Sequence, residues 1–311
     1  MEIAVRMTHR SKRNYLILGS LIVLCFILYI GLKVIVIGKG SLFQRKFNFD
    51  DNAHIQMLEE LNKEWELPEG YTIDDIEYNG LNMNWVYPKD NSSDNVILQL
   101  HGGAYQRSLA ENGTNYQRFA VKYAQISEAR VLTIDYRVAP KHPYPAALED
   151  AVMAYQWLLD QGYKAEKIII VGDSAGGGLT LATALYLRDN DLPLPAALIT
   201  MSAWTKLDYK RMDVPYVGSS DPKDPYISPF YGEYSRFPPI LMQVGGEEAL
   251  LGDTLEVADK ALIAGVDITQ TTYKDMFHVF QLLYPLLPEA NNAWVEVEEF
   301  IDRIFNHTDK Q

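Results

Sequence analysis

From residue 95 onward the chain alternates short apolar runs with longer amphipathic ones. Residues 95–100, 130–135, 167–171, 196–202, 240–244 and 267–273 have strand length and are bounded by turn residues. Residues 116–126, 146–161, 175–189, 250–264 and 293–305 carry apolar side chains at helical spacing. Runs this continuously apolar suit strands buried on both faces. The alternation therefore predicts one mostly parallel central sheet with helices on both sides. Residues 83–87 add a strand ahead of the repeat.

Two stretches break the rhythm. In residues 51–65, Ile55, Leu58, Leu61 and Trp65 recur at spacings of three and four, Asp51 or Asn52 can cap, and Pro68 and Gly70 follow. This predicts a helix ahead of the sheet. Residues 204–239 are long, Pro-rich and aromatic, with Tyr209, Tyr216, Tyr226, Phe230, Tyr231, Tyr234 and Phe237. A stretch of that length inside a compact domain is usually functional. Together, residues 48–68 and 204–239 are expected to form a helical lid.

The N-terminus follows a different pattern. Residues 15–32 are 18 uncharged, mostly apolar positions, and residues 34–37 extend them beyond Lys33. A bilayer core takes about 20 such residues, and no small-residue cleavage site follows. Residues 1–40 are thus expected to be a basic N-terminus with a transmembrane helix that anchors residues 41–311 to a membrane. Charge sharpens the division. Residues 1–46 hold eight of the 28 Lys and Arg and one of the 41 Asp and Glu, leaving 20 basic and 40 acidic residues beyond them. So acidic a body argues against a nucleic-acid partner. Four basic residues precede the span (Arg6, Arg10, Lys12, Arg13) and four follow it (Lys33, Lys39, Arg45, Lys46). The tight first cluster and the acidic body favour an extracytoplasmic domain. The sole cysteine, Cys25, lies inside the apolar run, so no intrachain disulfide and no cysteine-based zinc site can form.

The body has the size for one large α/β domain, and its candidate chemistry sits at strand ends. Gly172-Asp173-Ser174-Ala175-Gly176 closes the run 167–171 and opens the helix 175–189. A strand, G-x-S-x-G and a helix form a nucleophile elbow, in which the glycines clear space for a serine hydroxyl thrust off the backbone. His101-Gly102-Gly103-Ala104 follows the run 95–100. The N–H groups of Gly102 and Gly103, with that of Ala175 at the helix N-terminus, are expected to form an oxyanion hole. His101 is expected to hold this loop rather than act as a base. His278 follows the last strand, where a Ser…acid…His order places the base. The loop after residues 240–244 offers three carboxylates, Glu247, Glu248 and Asp253, which the pattern alone does not separate.

These residues resemble the hormone-sensitive-lipase-like branch of the α/β-hydrolases, a family of carboxylesterases and lipases. The likeness runs from about Asn95 to the C-terminus. It rests on His101-Gly102-Gly103, on Gly172-Asp173-Ser174-Ala175-Gly176-Gly177, on the segment from Asp135 to Ala146 (DYRVAPKHPYPA), and on Asp224-Pro225-Tyr226-Ile227-Ser228-Pro229. The resemblance implies an α/β-hydrolase fold with Ser174 as nucleophile and His278 as base. The family's acid lies in G-x-x-D-x-L, which Gly245-Gly246-Glu247-Glu248-Ala249-Leu250 matches with Glu for Asp. That picks Glu248, with Asp253 second. Many relatives have a third glycine where this chain has Ala104. The implied activity is hydrolysis of small-molecule carboxylic esters, of short to medium acyl chain, through an acyl-enzyme, with no metal or organic cofactor. Amide or lactone hydrolysis would use the same triad. A binding role without catalysis is disfavoured because serine, histidine and acid are all present.

Overall fold

The computed structural model describes residues 52–90, 92–208 and 214–308. The expected anchor over residues 1–40, and residues 48–51 and 209–213 of the expected lid, with Tyr209, lie outside them. Among the described residues, no helix is long and apolar enough to cross a membrane.

Helix α1 (Asn52–Lys63) leads into a hairpin of β1 (Tyr71–Tyr78) and β2 (Leu81–Pro88). There follow β3 (Val96–Leu100), α2 (Leu109–Ser127), β4 (Arg130–Ile134), α3 (Ala146–Asp160), β5 (Ile168–Asp173) and α4 (Ser174–Asp189). The chain closes with β6 (Ala197–Met201), β7 (Ile240–Gly245), α5 (Leu251–Ile263), β8 (Ile268–Tyr273) and α6 (Pro288–Thr308). All eight strands form one sheet in the order β1-β2-β4-β3-β5-β6-β7-β8. The pairs β1–β2 and β2–β4 are antiparallel, and every later pair is parallel.

The side-chain alternation of the central strands feeds two cores. On one face Leu98, Leu132, Ile170, Leu198 and Met242 pack with Leu148 and Tyr155 of α3, Leu181 and Leu185 of α4, and Val257 of α5. On the other, Ile97, Val131, Ile169, Ile199 and Leu241 meet Phe119 and Tyr123 of α2 and Trp294, Val297 and Ile301 of α6. Burial on both sides is why these strands read as unbroken apolar runs.

The described parts of the segment 204–239, residues 204–208 and 214–239, do not stand away from the body. Trp204, Leu207, Val214, Tyr216, Ile227, Phe230, Tyr234 and Phe237 are all buried in the α3–α4–α5 core. Buried Arg188 of α4 donates to the carbonyls of Glu233 and Ser235, which fixes its far end. Asp224 Oδ1 accepts the N–H of Tyr226, and Ser228 Oγ accepts that of Leu207, so the Asp224–Pro229 run is a locked turn.

Candidate active site

The parallel strands point their C-terminal ends to one edge of the sheet, and the elbow, the histidine loop and the acid turn all follow strands there. Ser174 begins α4 directly after β5 with a left-handed backbone, φ 50°. The space round it requires the glycines. A Cβ on Gly172 would lie 2.3 Å from the carbonyl oxygen of Gly176, and one on Gly176 would lie 2.1 Å from that of Leu100. Only a bare backbone allows β5 to turn so sharply into a helix beneath β3.

Ser174 Oγ lies 2.9 Å from His278 Nε2, and His278 Nδ1 lies 2.6 Å from Glu248 Oε2. The carboxylate of Glu248 is 2% exposed. Being ionised it can only accept, so Nδ1 carries the proton and Nε2 is left to take the serine's. A hydroxyl so placed can become a nucleophile, and the buried carboxylate can stabilise the imidazolium that results. Of the three carboxylates open from sequence, the structure brings Glu248 to His278. Glu247 is exposed, and Asp253 sits in the first turn of α5.

The loop after β3 corrects one expectation. The N–H of Gly102 points inward, 2.7 Å from Tyr116 Oη and 3.2 Å from Asp173 Oδ1, so it is not available to an oxyanion. The next two N–H groups are. Gly103 (φ 116°) and Ala104 (φ 56°) turn the chain in the left-handed region, and no acceptor among the described residues takes either N–H. The donors this loop offers are therefore Gly103 and Ala104, beside Ala175 at the N-terminus of α4.

His101 holds the loop, as its sequence position suggested. It is fully buried, stacks on Tyr136 at 4.0 Å between ring centres, and its Nδ1 donates to the carbonyl of Gly102 at 2.7 Å. Burial pushes its imidazole down to about 4, which keeps it neutral. Tyr136 Oη in turn donates to the carbonyl of His101 at 2.5 Å. The following Arg137 forks onto buried Asp150 through Nε and Nη2. The Asp135–Ala146 segment thus braces the loop from behind.

Sequence reasoning missed two polar residues here. Tyr116, on α2, accepts from Gly102 and donates to Asp173 Oδ2 at 3.3 Å. Ser202, just past β6, donates to Glu248 Oε1 at 2.8 Å. Neither lies in a motif, and only the folded chain brings them to the site. Asp173 lies within the elbow motif, which gives it no role of its own. It is buried under the Gly102 loop, and burial lifts its carboxyl to about 6 against the opposing pull of His278, Tyr116 and Gly102.

Comparison with known proteins shows the family of the chain. A profile of the alpha/beta hydrolase fold matches residues 97–282. An acetyl-hydrolase of Streptomyces hygroscopicus is 36% identical over 229 residues, which cover 67% of this chain and 75% of that protein. An esterase of Acinetobacter venetianus is 31% identical over 230 residues, covering 67% and 75%. The crystal structure of an esterase from the bacterial hormone-sensitive lipase family superposes with a TM-score of 0.72 at 34% identity, covering 80% of this chain and 89% of that one. The chain belongs to the α/β-hydrolase family. Within that family its place is the hormone-sensitive-lipase-like branch.

Proposed function

We propose that Ser174 is the nucleophile of a carboxylic-ester hydrolase, with His278 as general base and Glu248 as the acid that orients it. The observation that carries this is the unbroken relay of 2.9 Å and 2.6 Å from Ser174 Oγ through His278 to Glu248. Ser174 Oγ attacks the ester carbonyl as its proton passes to His278 Nε2. The N–H groups of Gly103, Ala104 and Ala175 hold the negative oxygen that forms. His278 then gives the proton to the departing alcohol, which leaves an acyl group on Ser174. Water attacks that acyl carbonyl, its proton goes to His278, and Ser174 regains a proton as the acid product leaves. No step draws on a metal or an organic cofactor.

Small-molecule esters of short to medium acyl chain are the substrates. The relative named an acetyl-hydrolase supports the short end, as does the methyl group of Ala104 beside the oxyanion donors. Residues 48–68 act as a lid, whereas the aromatic side chains Trp204, Tyr216, Phe230, Tyr234 and Phe237 of the second segment are taken up in the core. Residues 1–40 anchor the enzyme in a membrane with the catalytic domain extracytoplasmic. The anchor is supported by the 18-residue uncharged run, and the orientation by the tight basic cluster ahead of it and the acidic body. Protease added to intact cells removes the domain if that orientation is right and leaves it whole if it is not.

The test of function is hydrolysis of nitrophenyl acetate, butyrate, octanoate and laurate by the detergent-solubilised full chain, beside Ser174→Ala. Turnover that depends on Ser174 and declines toward laurate is expected. Equal turnover by Ser174→Ala would refute the mechanism.

A further inference from the structure

The three residues that follow β6 touch every arm of the relay. Ser202 Oγ lies 2.8 Å from Glu248 Oε1 and 3.0 Å from the N–H of Val279, the residue after His278. Two positions on, the N–H of Trp204 donates to the carbonyl of Ser174 at 2.8 Å. Between them, Ala203 packs so tightly on the first turn of α4 that a Cβ on Gly177 would lie 2.9 Å from its own Cβ. One short strut therefore reaches nucleophile, base loop and acid.

The direction of the Ser202 bonds follows from the groups involved. Val279 N–H can only donate and an ionised carboxylate can only accept, so the hydroxyl accepts from Val279 and gives its single proton to Glu248. Glu248 Oε1 also accepts the N–H of Gly245, and Oε2 takes the proton of His278 Nδ1. Three donors thus fix both oxygens of one buried carboxylate. Without Ser202, Oε1 would be held only from within its own turn, and the side-chain link from that oxygen to the N–H of Val279 would be lost.

The backbone at both ends of this bridge is costly. Ser202 and Val279 have φ of 51° and 52°, the left-handed region that a β-branched residue such as valine adopts rarely. Both residues are buried, and the N–H of Ser202 is pinned to the carbonyl of Gln243 at 2.7 Å. The Val279 turn sets the direction in which the neighbouring His278 ring leaves the chain, and the Ser202 hydroxyl meets its N–H. We propose that Ser202 is a positioning residue of the reaction. Its hydroxyl locks the carboxylate of Glu248 to the turn after His278, so that the imidazole is held at hydrogen-bond distance from Ser174. This rests on the catalytic reading above.

The experiment is a double-mutant cycle on nitrophenyl butyrate with the detergent-solubilised full chain. It uses Ser202→Ala, Glu248→Ala and the pair, with Ser174→Ala as the reference for serine dependence. Ser202→Gly joins the set because glycine suits φ 51° and removes the same hydroxyl, which keeps the test open if alanine does not fold. Loss of kcat by about 10–100-fold with KM within about twofold is expected for Ser202→Ala and Ser202→Gly. In the Glu248→Ala background, removing Ser202 should cost less than about twofold further, because the carboxylate that its hydroxyl locks in place is already gone. An equal loss in both backgrounds would make Ser202 a support of the fold alone and overturn the proposal. So would full kcat in Ser202→Ala alongside an inactive Ser174→Ala, with the catalytic reading left standing. An active Ser174→Ala would overturn that reading and this one together.

Discussion

The N–H of Gly102 ends on the phenol of Tyr116, 2.7 Å away, and that phenol passes the contact on to Asp173 at 3.3 Å. A residue of α2 and the residue before the nucleophile thereby decide which way the first glycine of the loop faces. With Gly102 turned inward, Gly103 and Ala104 present the next N–H groups. Tyr116→Phe keeps the ring and removes the link, leaving Gly102 with Asp173 Oδ1 at 3.2 Å as its acceptor. Stability should fall by about 1–2 kcal/mol and kcat by up to about tenfold, with KM little changed. Chemical denaturation and steady-state kinetics on one short ester check both numbers. Unchanged values would show that Asp173 alone fixes the loop.

Asp173 carries a second consequence, in pH. Its carboxyl stands at about 6 when folded against 3.8 as an ordinary group, chiefly through burial. Between those values the folded chain holds a proton that the unfolded chain has released. The stability contributed by this group is therefore present at low pH, declines as pH rises from about 4 to about 6, and is flat above. A shift of about two units corresponds to on the order of 3 kcal/mol. Asp173→Asn cannot ionise and should escape the decline. Urea midpoints from pH 4 to 7 should show Asp173→Asn gaining on the parent as pH rises. Two curves that stay parallel would mean that Asp173 titrates alike in both states.

The catalytic strands were the easiest part of the fold to read. Residues of β3 and β5 are buried on both faces, so hydrophobicity alone marks them. β1 escaped because Asp74, Asp75 and Glu77 lie in an edge strand whose pattern is exposed and partly buried by turns. The start of α2 is less legible because its apolar stripe sets in only at Tyr116, while the chain turns helical at Leu109. There the signal was local and available: the Glu111 carboxylate accepts the N–H of Ser108 at 2.9 Å, the mark of a helix start. At the site, chain order and family pattern name Ser174, His278 and Glu248, three side chains that the fold brings within hydrogen-bond distance. The exclusion of Gly102 was not legible, because it depends on where α2 places one phenol. Ser202 was equally hidden, since a serine after an apolar strand has no distinguishing pattern until Glu248 and Val279 close on it.

Glu248 is where the chain departs from the pattern of its relatives, and the structure gives that departure a physical sense. One oxygen reaches His278 at 2.6 Å while the other reaches Ser202 at 2.8 Å and the N–H of Gly245. Glu248→Asp draws the carboxylate back by one methylene, so it can keep its own turn or reach the imidazole, but not both. A loss of about 10–100-fold in kcat is expected, with KM nearly unchanged. Glu248→Gln keeps the length and removes the charge. Its amide can accept from Nδ1 only by giving up the acceptor geometry that Ser202 and Gly245 require, and it cannot balance an imidazolium. Here kcat should fall by on the order of 10³–10⁴. Asp253→Asn, on the same loop and helix, should stay within about twofold of the parent, since a change in the first turn of α5 leaves the relay intact. Kinetics on the three variants decide the matter. If Asp253→Asn lost activity as severely as Glu248→Gln, the acid would have to be assigned to Asp253, and the 2.6 Å contact of Glu248 with His278 would be incidental to catalysis.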